Sequence, residues 1–218
     1  MSEGPLIGVV DYGMGNRRSV EKALQHVGAR AVISADHGAL GATDALLVPG
    51  VGAFPKGIAN LRERGLDELV RARAAAGTPV LGICLGMQLL FDRSVELGGA
   101  DGLGLIAGEV APLQAGALRL PHIGWNEVRI ERASALTDGF EGPARPFYHV
   151  HSFVAHPARA EDIVGWSRYG EAFATIVASG TVFGVQFHPE KSSRDGLRLL
   201  ARFAAIATER RRPAAAAA

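Results

Sequence analysis

The stretch Pro79-Val80-Leu81-Gly82-Ile83-Cys84-Leu85-Gly86-Met87-Gln88-Leu89-Leu90-Phe91 decides the fold. Pro79 to Ile83 is apolar without alternation, the pattern of a strand buried on both faces, and Leu85 to Phe91 is predicted to be a helix. The junction, Gly82-Ile83-Cys84-Leu85-Gly86, has the form of a nucleophile elbow with sulfur in place of a serine oxygen. A sharp strand-to-helix turn brings backbone close to the nucleophile, so a side chain at position 82 or 86 would collide.

The same alternation of elements extends towards the N-terminus. Pro5 to Val10 is a short β-branched apolar run, and Val20, Ala23, Leu24 and Val27 then recur at helical spacing before Gly28. Ala31 to Ile33 and Ala45 to Val48 are expected as buried strands. Leu66, Leu69 and Val70 mark a helix face, with Gly77-Thr78-Pro79 as its stop. Unalternating strands with helices between them predict an α/β fold: a mostly parallel central sheet with helices on both faces. From about residue 104 shorter strands take over, including Pro121 to Ile130 and Phe147 to Val154, and antiparallel additions are expected in this C-terminal half. Ala172 to Ala178 and Thr181 to Phe187 flank Ser179-Gly180, a tight-hairpin connection that delivers His188 to a strand end. A last helix is expected from Ser193 to about Thr208 with Leu197, Leu200, Ala201 and Ala204 on one face.

Composition narrows the function. A chain of 218 residues, 48% hydrophobic, is expected to form one domain over residues 1–212, with a frayed Ala-rich tail at 213–218. Lys and Arg total 23 against 22 Asp and Glu, so no whole-protein field favours nucleic acid or an anionic membrane. With no signal-like start and no long apolar run, the expectation is a soluble, cytoplasmic protein. A single cysteine excludes an internal disulfide and a multi-cysteine zinc site, which leaves Cys84 as an inert core residue or a reagent. No metal or cofactor is expected. The Gly-rich run Asp11 to Asn16 lacks the Gly-x-Gly-x-x-Gly spacing and any Walker lysine, which disfavours nucleotide binding.

A reactive cysteine needs its thiolate, which a helix N-terminus and an imidazolium favour. His188 follows the apolar run Val182 to Phe187 and precedes Pro189-Glu190, so Glu190 is placed to orient the ring as the third member of a triad. The turn Pro49-Gly50-Val51-Gly52 follows a buried strand and could present N–H groups to an oxyanion beside that of Leu85. Taken singly, a buried cysteine is more often a small hydrophobe, His188 and Glu190 a solvated strand end, and Pro49 to Gly52 a turn. Their joint occurrence with the elbow favours chemistry.

These residues resemble a known family. Gly82 to Gln88 and Gly184 to Glu190, about a hundred residues apart, resemble the class I, triad-type glutamine amidotransferases. Within that class, Asp11 to Asn16, Pro49 to Phe54 (PGVGAF), Pro121 to Asn126 (PHIGWN) and His188 to Ser193 (HPEKSS) resemble the glutaminase subunits of imidazole glycerol phosphate synthase. The resemblance implies a flavodoxin-like central sheet, hydrolysis of glutamine by Cys84, His188 and Glu190, an oxyanion hole from Val51 and Leu85, and substrate contacts from Gly52 and Gln88. It implies a heterodimer with a (β/α)8-barrel cyclase that uses the ammonia to make imidazole glycerol phosphate and aminoimidazole carboxamide ribotide in histidine biosynthesis. Asp11, Tyr12, Asn16, Trp125 and Lys191 are the docking-face candidates. The chain departs from the pattern at His149 and Phe153, where aromatic Phe and Tyr are expected, and at Arg17, where leucine is expected. The competing expectations are a glutaminase subunit of another pathway, a non-catalytic regulatory subunit on the same fold, and a cysteine peptidase or general hydrolase.

Overall fold

The structure, a computed structural model, describes residues 4–140 and 142–211; the tail expected to fray at 213–218 lies outside the described residues. In chain order the elements are β1 (Leu6–Val10), α1 (Arg17–His26), β2 (Arg30–Ser34), α2 (His37–Gly41), β3 (Ala45–Val48), α3 (Phe54–Glu63), α4 (Leu66–Ala75), β4 (Val80–Ile83) and α5 (Leu85–Leu89). There follow β5 (Phe91–Ser94), β6 (Ala100–Asp101), β7 (Ile106–Pro112), β8 (His122–Ile130), β9 (Arg145–His151), β10 (Phe153–Pro157), β11 (Ile163–Tyr169), β12 (Glu171–Ser179), β13 (Val182–Val185) and α6 (Ser193–Arg211).

The sheet begins β2-β1-β3-β4-β13, and these strands pair in parallel. That order is the flavodoxin-like one. Beyond β13 the sheet continues antiparallel through β12 and β10 to β7, while β8, β9 and β11 form a side branch. The α/β expectation with C-terminal antiparallel additions is met.

The unalternating strands divide their side chains between two cores, because successive residues point to opposite faces. Ile7, Val9, Ala45, Leu47, Leu81, Ile83, Phe183 and Val185 face a core shared with α1 and α6. Val10, Leu46, Val48, Val80 and Val182 face a second core with α2, α3, α4 and α5. Helix α1 ends as its sequence predicts: Gly28 takes φ 86°, and the N–H groups of Gly28 and Ala29 donate to the carbonyls of Gln25 and Leu24. This Schellman pattern satisfies carbonyls that the helix end would otherwise orphan. Among the described residues no helix is long and apolar enough to cross a membrane.

Three local expectations are corrected. Strand β2 is not buried: it is the sheet edge, and its side chains are half-buried or exposed. The helix expected from Leu85 to Phe91 stops at Leu89, and Phe91 opens β5. Its last carbonyls are taken by a distant segment, Leu89 O by the Leu103 N–H, Leu90 O by those of Leu105 and Ile106, and Phe91 O by that of Gly104. Sheet pairing of β5 with β7 thus overrides helix propensity. Helix α6 runs to Arg211 and turns Leu199, Leu200, Phe203 and Ala207 inward, leaving Leu197 and Ala201 half-buried.

Candidate active site

The functional candidates gather at the carboxyl ends of β1, β3, β4 and β13, where open α/β sheets bind their ligands. Cys84 stands between β4 and α5 at φ 53°, ψ −111°, a conformation that costs a non-glycine residue about 1–3 kcal/mol. Its N–H donates to Val185 O of the neighbouring strand at 2.8 Å, and its carbonyl accepts from Gln88 N at 3.1 Å. The glycines work as expected. A Cβ on Gly82 would lie 2.5 Å from Gly86 O, and one on Gly86 would overlap the Val48 carbonyl oxygen. The elbow therefore exists only because β3, β4 and the start of α5 pack backbone to backbone.

His188 arrives from β13, three residues past the strand's last residue, and is fixed by Tyr148 of β9: the His188 N–H donates to Tyr148 O at 2.8 Å. Ser192 completes the strap, its hydroxyl donating to His188 O at 2.7 Å and accepting from Tyr148 N at 2.9 Å. The turn through Pro189 then brings Glu190 Oε1 to 2.9 Å from His188 Nδ1, and both side chains are buried. Glu190 Oε2 is buried with no hydrogen-bond partner among the described residues. Burial alone would lower the His188 pKa, but hydrogen bonding to Cys84 and Glu190, together with their charges, outweighs it and pushes the value up to about 10. The structure thus brings Cys84, His188 and Glu190 together.

The turn after β3 lies against the elbow. Gly50 can have no side chain because a Cβ would sit 2.7 Å from Leu85 Cβ and from the Tyr12 hydroxyl. Among the described residues neither the Val51 N–H nor the Leu85 N–H has a hydrogen-bond acceptor. Gly52 takes φ 116°, and a Cβ there would meet Met14 at 2.6 Å. The Gly-rich run Asp11 to Asn16 therefore buttresses this turn. Tyr12, expected on a docking face, is fully buried, a correction with a physical reason: its hydroxyl donates to Pro49 O at 2.5 Å. Burial and then the neighbouring Cys84 raise the Tyr12 pKa, so the phenol stays a neutral donor. Arg17 forms an ion pair with Asp11, and Asp11 also accepts from Gly13 N at 3.0 Å, so the departure at position 17 is absorbed within the loop.

The remaining docking candidates are accessible. Trp125 is 53% exposed beside Ile123 at 60%, Lys191 is exposed, and Asn16 and Asp11 are half-buried. Lys191 Nζ lies 5.9 Å from the centre of the Tyr148 ring, against which Trp125 packs edge-on at 6.1 Å. This group adjoins the His188 turn through Tyr148.

Sequence reasoning gave no role to two groups. Gln186 is fully buried, and its Nε2 approaches Cys84 Sγ at 3.7 Å; Gln88 donates to Gln186 Oε1 at 3.1 Å and to Phe153 O at 3.0 Å. His122, His149 and His151 form a buried ring cluster beside the site. Burial, followed by the charges of neighbouring histidines, lowers His149 to about 3 and His151 well below its usual value; burial alone lowers His122. His149 keeps the aromatic packing expected of Phe and adds bonds to Phe147 O and Thr175 Oγ1, each 3.1 Å.

Comparison with known proteins accords with this geometry. The family described as glutamine amidotransferase class-I matches residues 8–207. Three proteins named imidazole glycerol phosphate synthase subunit HisH are close in sequence. That of Moorella thermoacetica is 48% identical over 90% of this chain and 93% of its own. That of Symbiobacterium thermophilum is 49% identical over 88% and 90%, and that of Bacillus cereus 45% identical over 92% and 95%. Among solved structures, one described as a glutamine amidotransferase superposes with a TM-score of 0.72 at 22% identity, covering 91% of this chain and 98% of its own. PurLQS from Thermotoga maritima gives 0.73 at 21% identity, covering 94% and 97%. At such identities the superpositions establish the shared fold, whereas the family match and the relatives establish kinship: the chain is an enzyme of the class-I glutamine amidotransferase family.

Proposed function

We propose that the chain is the glutaminase subunit of an imidazole glycerol phosphate synthase, hydrolysing glutamine to glutamate and ammonia for a separate (β/α)8-barrel cyclase. The observation that carries the reading is the linked set Cys84, His188 and Glu190, with the sulfur on a strained elbow and Glu190 2.9 Å from the imidazole. The names of the relatives and the PHIGWN and PGVGAF segments support the choice of this member over other amidotransferases. In this reading residues 1–212 form one amidotransferase domain working in the cytoplasm, and the product ammonia serves histidine biosynthesis.

The chemistry follows from the placement of the groups. The Cys84 sulfur attacks the side-chain amide carbon of glutamine, and the N–H groups of Val51 and Leu85 receive the oxyanion. His188, charged at neutral pH, gives its proton to the amide nitrogen as the C–N bond breaks and ammonia leaves. The thioester is then hydrolysed: His188 takes a proton from water, the water oxygen attacks, and the C–S bond breaks to return the sulfur. Glu190 keeps the imidazole oriented and compensates its charge throughout. Gly52 and Gln88 contact the substrate. Asp11, Asn16, Trp125 and Lys191 meet the cyclase, which takes ammonia before water protonates it.

With Cys84 only 5% exposed, substrate entry requires movement near the site. The turn Pro49 to Gly52, buttressed rather than bonded at Val51, is mispoised until the liganded partner docks. The test is glutamate release by wild type and Cys84→Ala, each alone and with the cyclase and its nucleotide substrate. Activity that requires Cys84 and rises sharply with liganded partner supports the reading. Activity indifferent to that partner would assign the chain to another amidotransferase and sink the gating idea.

A further inference from the structure

The hydrogen bonds around Gln186 determine which end of its amide faces the nucleophile. Phe153 O is a backbone carbonyl and can only accept, so the Gln88 atom 3.0 Å from it must be the amide nitrogen. The same nitrogen lies 3.1 Å from Gln186, whose facing atom must therefore be its oxygen. The other end of the Gln186 amide, 3.7 Å from Cys84 Sγ, is then its NH2 group. A flipped amide at either residue would set donor against donor or acceptor against acceptor, in a place where neither group reaches water freely.

The carbonyl that starts this sequence is itself fixed. His151 Nδ1 lies 3.1 Å from Phe153 O and must donate, which leaves its Nε2 bare. His122 Nδ1, 3.3 Å from that nitrogen, must in turn donate, leaving its own Nε2 to accept from Asn126 Nδ2 at 3.4 Å. The Asn126 nitrogen is set by Arg168 O at 3.0 Å. Each imidazole spends its one N–H and its one lone pair, so every orientation from Asn126 to Gln186 is determined.

A second neighbour of the sulfur, besides His188, acts in the opposite sense to Gln186. Val150 O lies 3.6 Å from Cys84 Sγ, where it can accept from a thiol but faces a thiolate with its negative end. The Gln186 N–H, by contrast, strengthens as the sulfur gains charge.

We propose that Gln186 is a catalytic residue: its side-chain N–H, aimed by Gln88 and the Phe153 carbonyl, stabilises the Cys84 sulfur as thiolate and again as leaving group from the tetrahedral adduct. This rests on Cys84 being the nucleophile. It gives Gln88 a second task besides the substrate contact, and makes His122 and His151 an orienting scaffold rather than titrating groups.

The test is the rate of Cys84 alkylation by iodoacetamide across pH, followed by mass spectrometry on the free chain, beside kcat and KM for glutamine with the cyclase. Losing one hydrogen bond to a charged acceptor predicts that Gln186→Met alkylates about tenfold more slowly at pH 7, with the deficit closing as pH rises. The value of kcat falls at least as far, while KM changes less than about threefold, because the contact is to sulfur rather than to substrate. A residue acting through packing alone would lower thermal stability without moving the alkylation profile. Should Gln186→Met fail to fold, Gln186→Glu preserves the shape and, once ionised, is expected to slow alkylation further. Alkylation matching wild type within twofold at every pH overturns the proposal. A wild type modified elsewhere than Cys84, or a Cys84→Ala variant that still releases glutamate, would instead remove the nucleophile assignment and the proposal with it.

Discussion

Replacing Glu190 by glutamine keeps the side chain's shape and removes its charge. His188 is 2% exposed, and its pKa stands at about 10 against an ordinary 6.5, which corresponds to at most roughly 5 kcal/mol of preference for the imidazolium, shared between Cys84 and Glu190. Because the folded-state value lies above the unfolded one, this stabilisation is complete below about pH 6.5 and is withdrawn as pH rises towards 10. An amide in place of the carboxylate leaves the imidazolium donating from Nδ1 to an uncharged acceptor, a loss of about 1–2 kcal/mol. It also sets an NH2 group where Glu190 Oε2 now lacks a partner, and an unsatisfied buried donor costs about 1–3 kcal/mol. The first cost depends on His188 being charged; the second does not. Urea unfolding at pH 6, 8 and 10 should therefore show Glu190→Gln destabilised by about 2–4 kcal/mol at pH 6, with the gap narrowing by about 1–2 kcal/mol at pH 10. Partner-stimulated glutamate release should fall by about 10²–10⁴. A gap that stays constant with pH within about 0.5 kcal/mol would refute the argument, because Glu190 would then act by shape alone.

Other perturbations probe separate parts of the structure. Gly86→Ala drives a methyl into the Val48 carbonyl, so loss of more than about 3 kcal/mol of stability, or failure to fold, is expected in thermal melts. His149→Phe removes bonds to Phe147 O and Thr175 Oγ1 but keeps the ring packing, and should change unfolding free energy by less than about 1.5 kcal/mol. Trp125→Ala removes an exposed aromatic anchor and should weaken binding of the cyclase at least about tenfold by calorimetry.

The legible parts of the sequence were those where local sterics leave one solution. Gly82 and Gly86 announced the elbow because backbone occupies the space a Cβ would need, and Gly28 announced the end of α1 because its φ is positive. Strand β2 reads as buried although it is the sheet edge, because an apolar run does not say whether a neighbour lies on each side. The early end of α5 was invisible, since its cause is the distant Leu103 to Ile106 segment that claims its final carbonyls. The resemblance puts Tyr12 on a docking face with the rest of its loop, whereas its hydroxyl is spent on Pro49. Gln186, lying between Val185 and Phe187, gives no local signal of function; its role depends on Gln88 and Phe153, which only the fold brings to it.

The pairing of β4 with β13 also has a consequence in time. Ile83 sits level with Val185, so the register of one parallel strand pair sets the sulfur beside the imidazole. Those strands are about a hundred residues apart, and long-range parallel pairing is a late and slow event in folding. A ribosome-bound chain that has not yet released β13 has neither His188 nor the acceptor for the Cys84 N–H. Placement of the sulfur beside the imidazole thus waits for β13, and its recovery during refolding would report the pairing of β4 with β13.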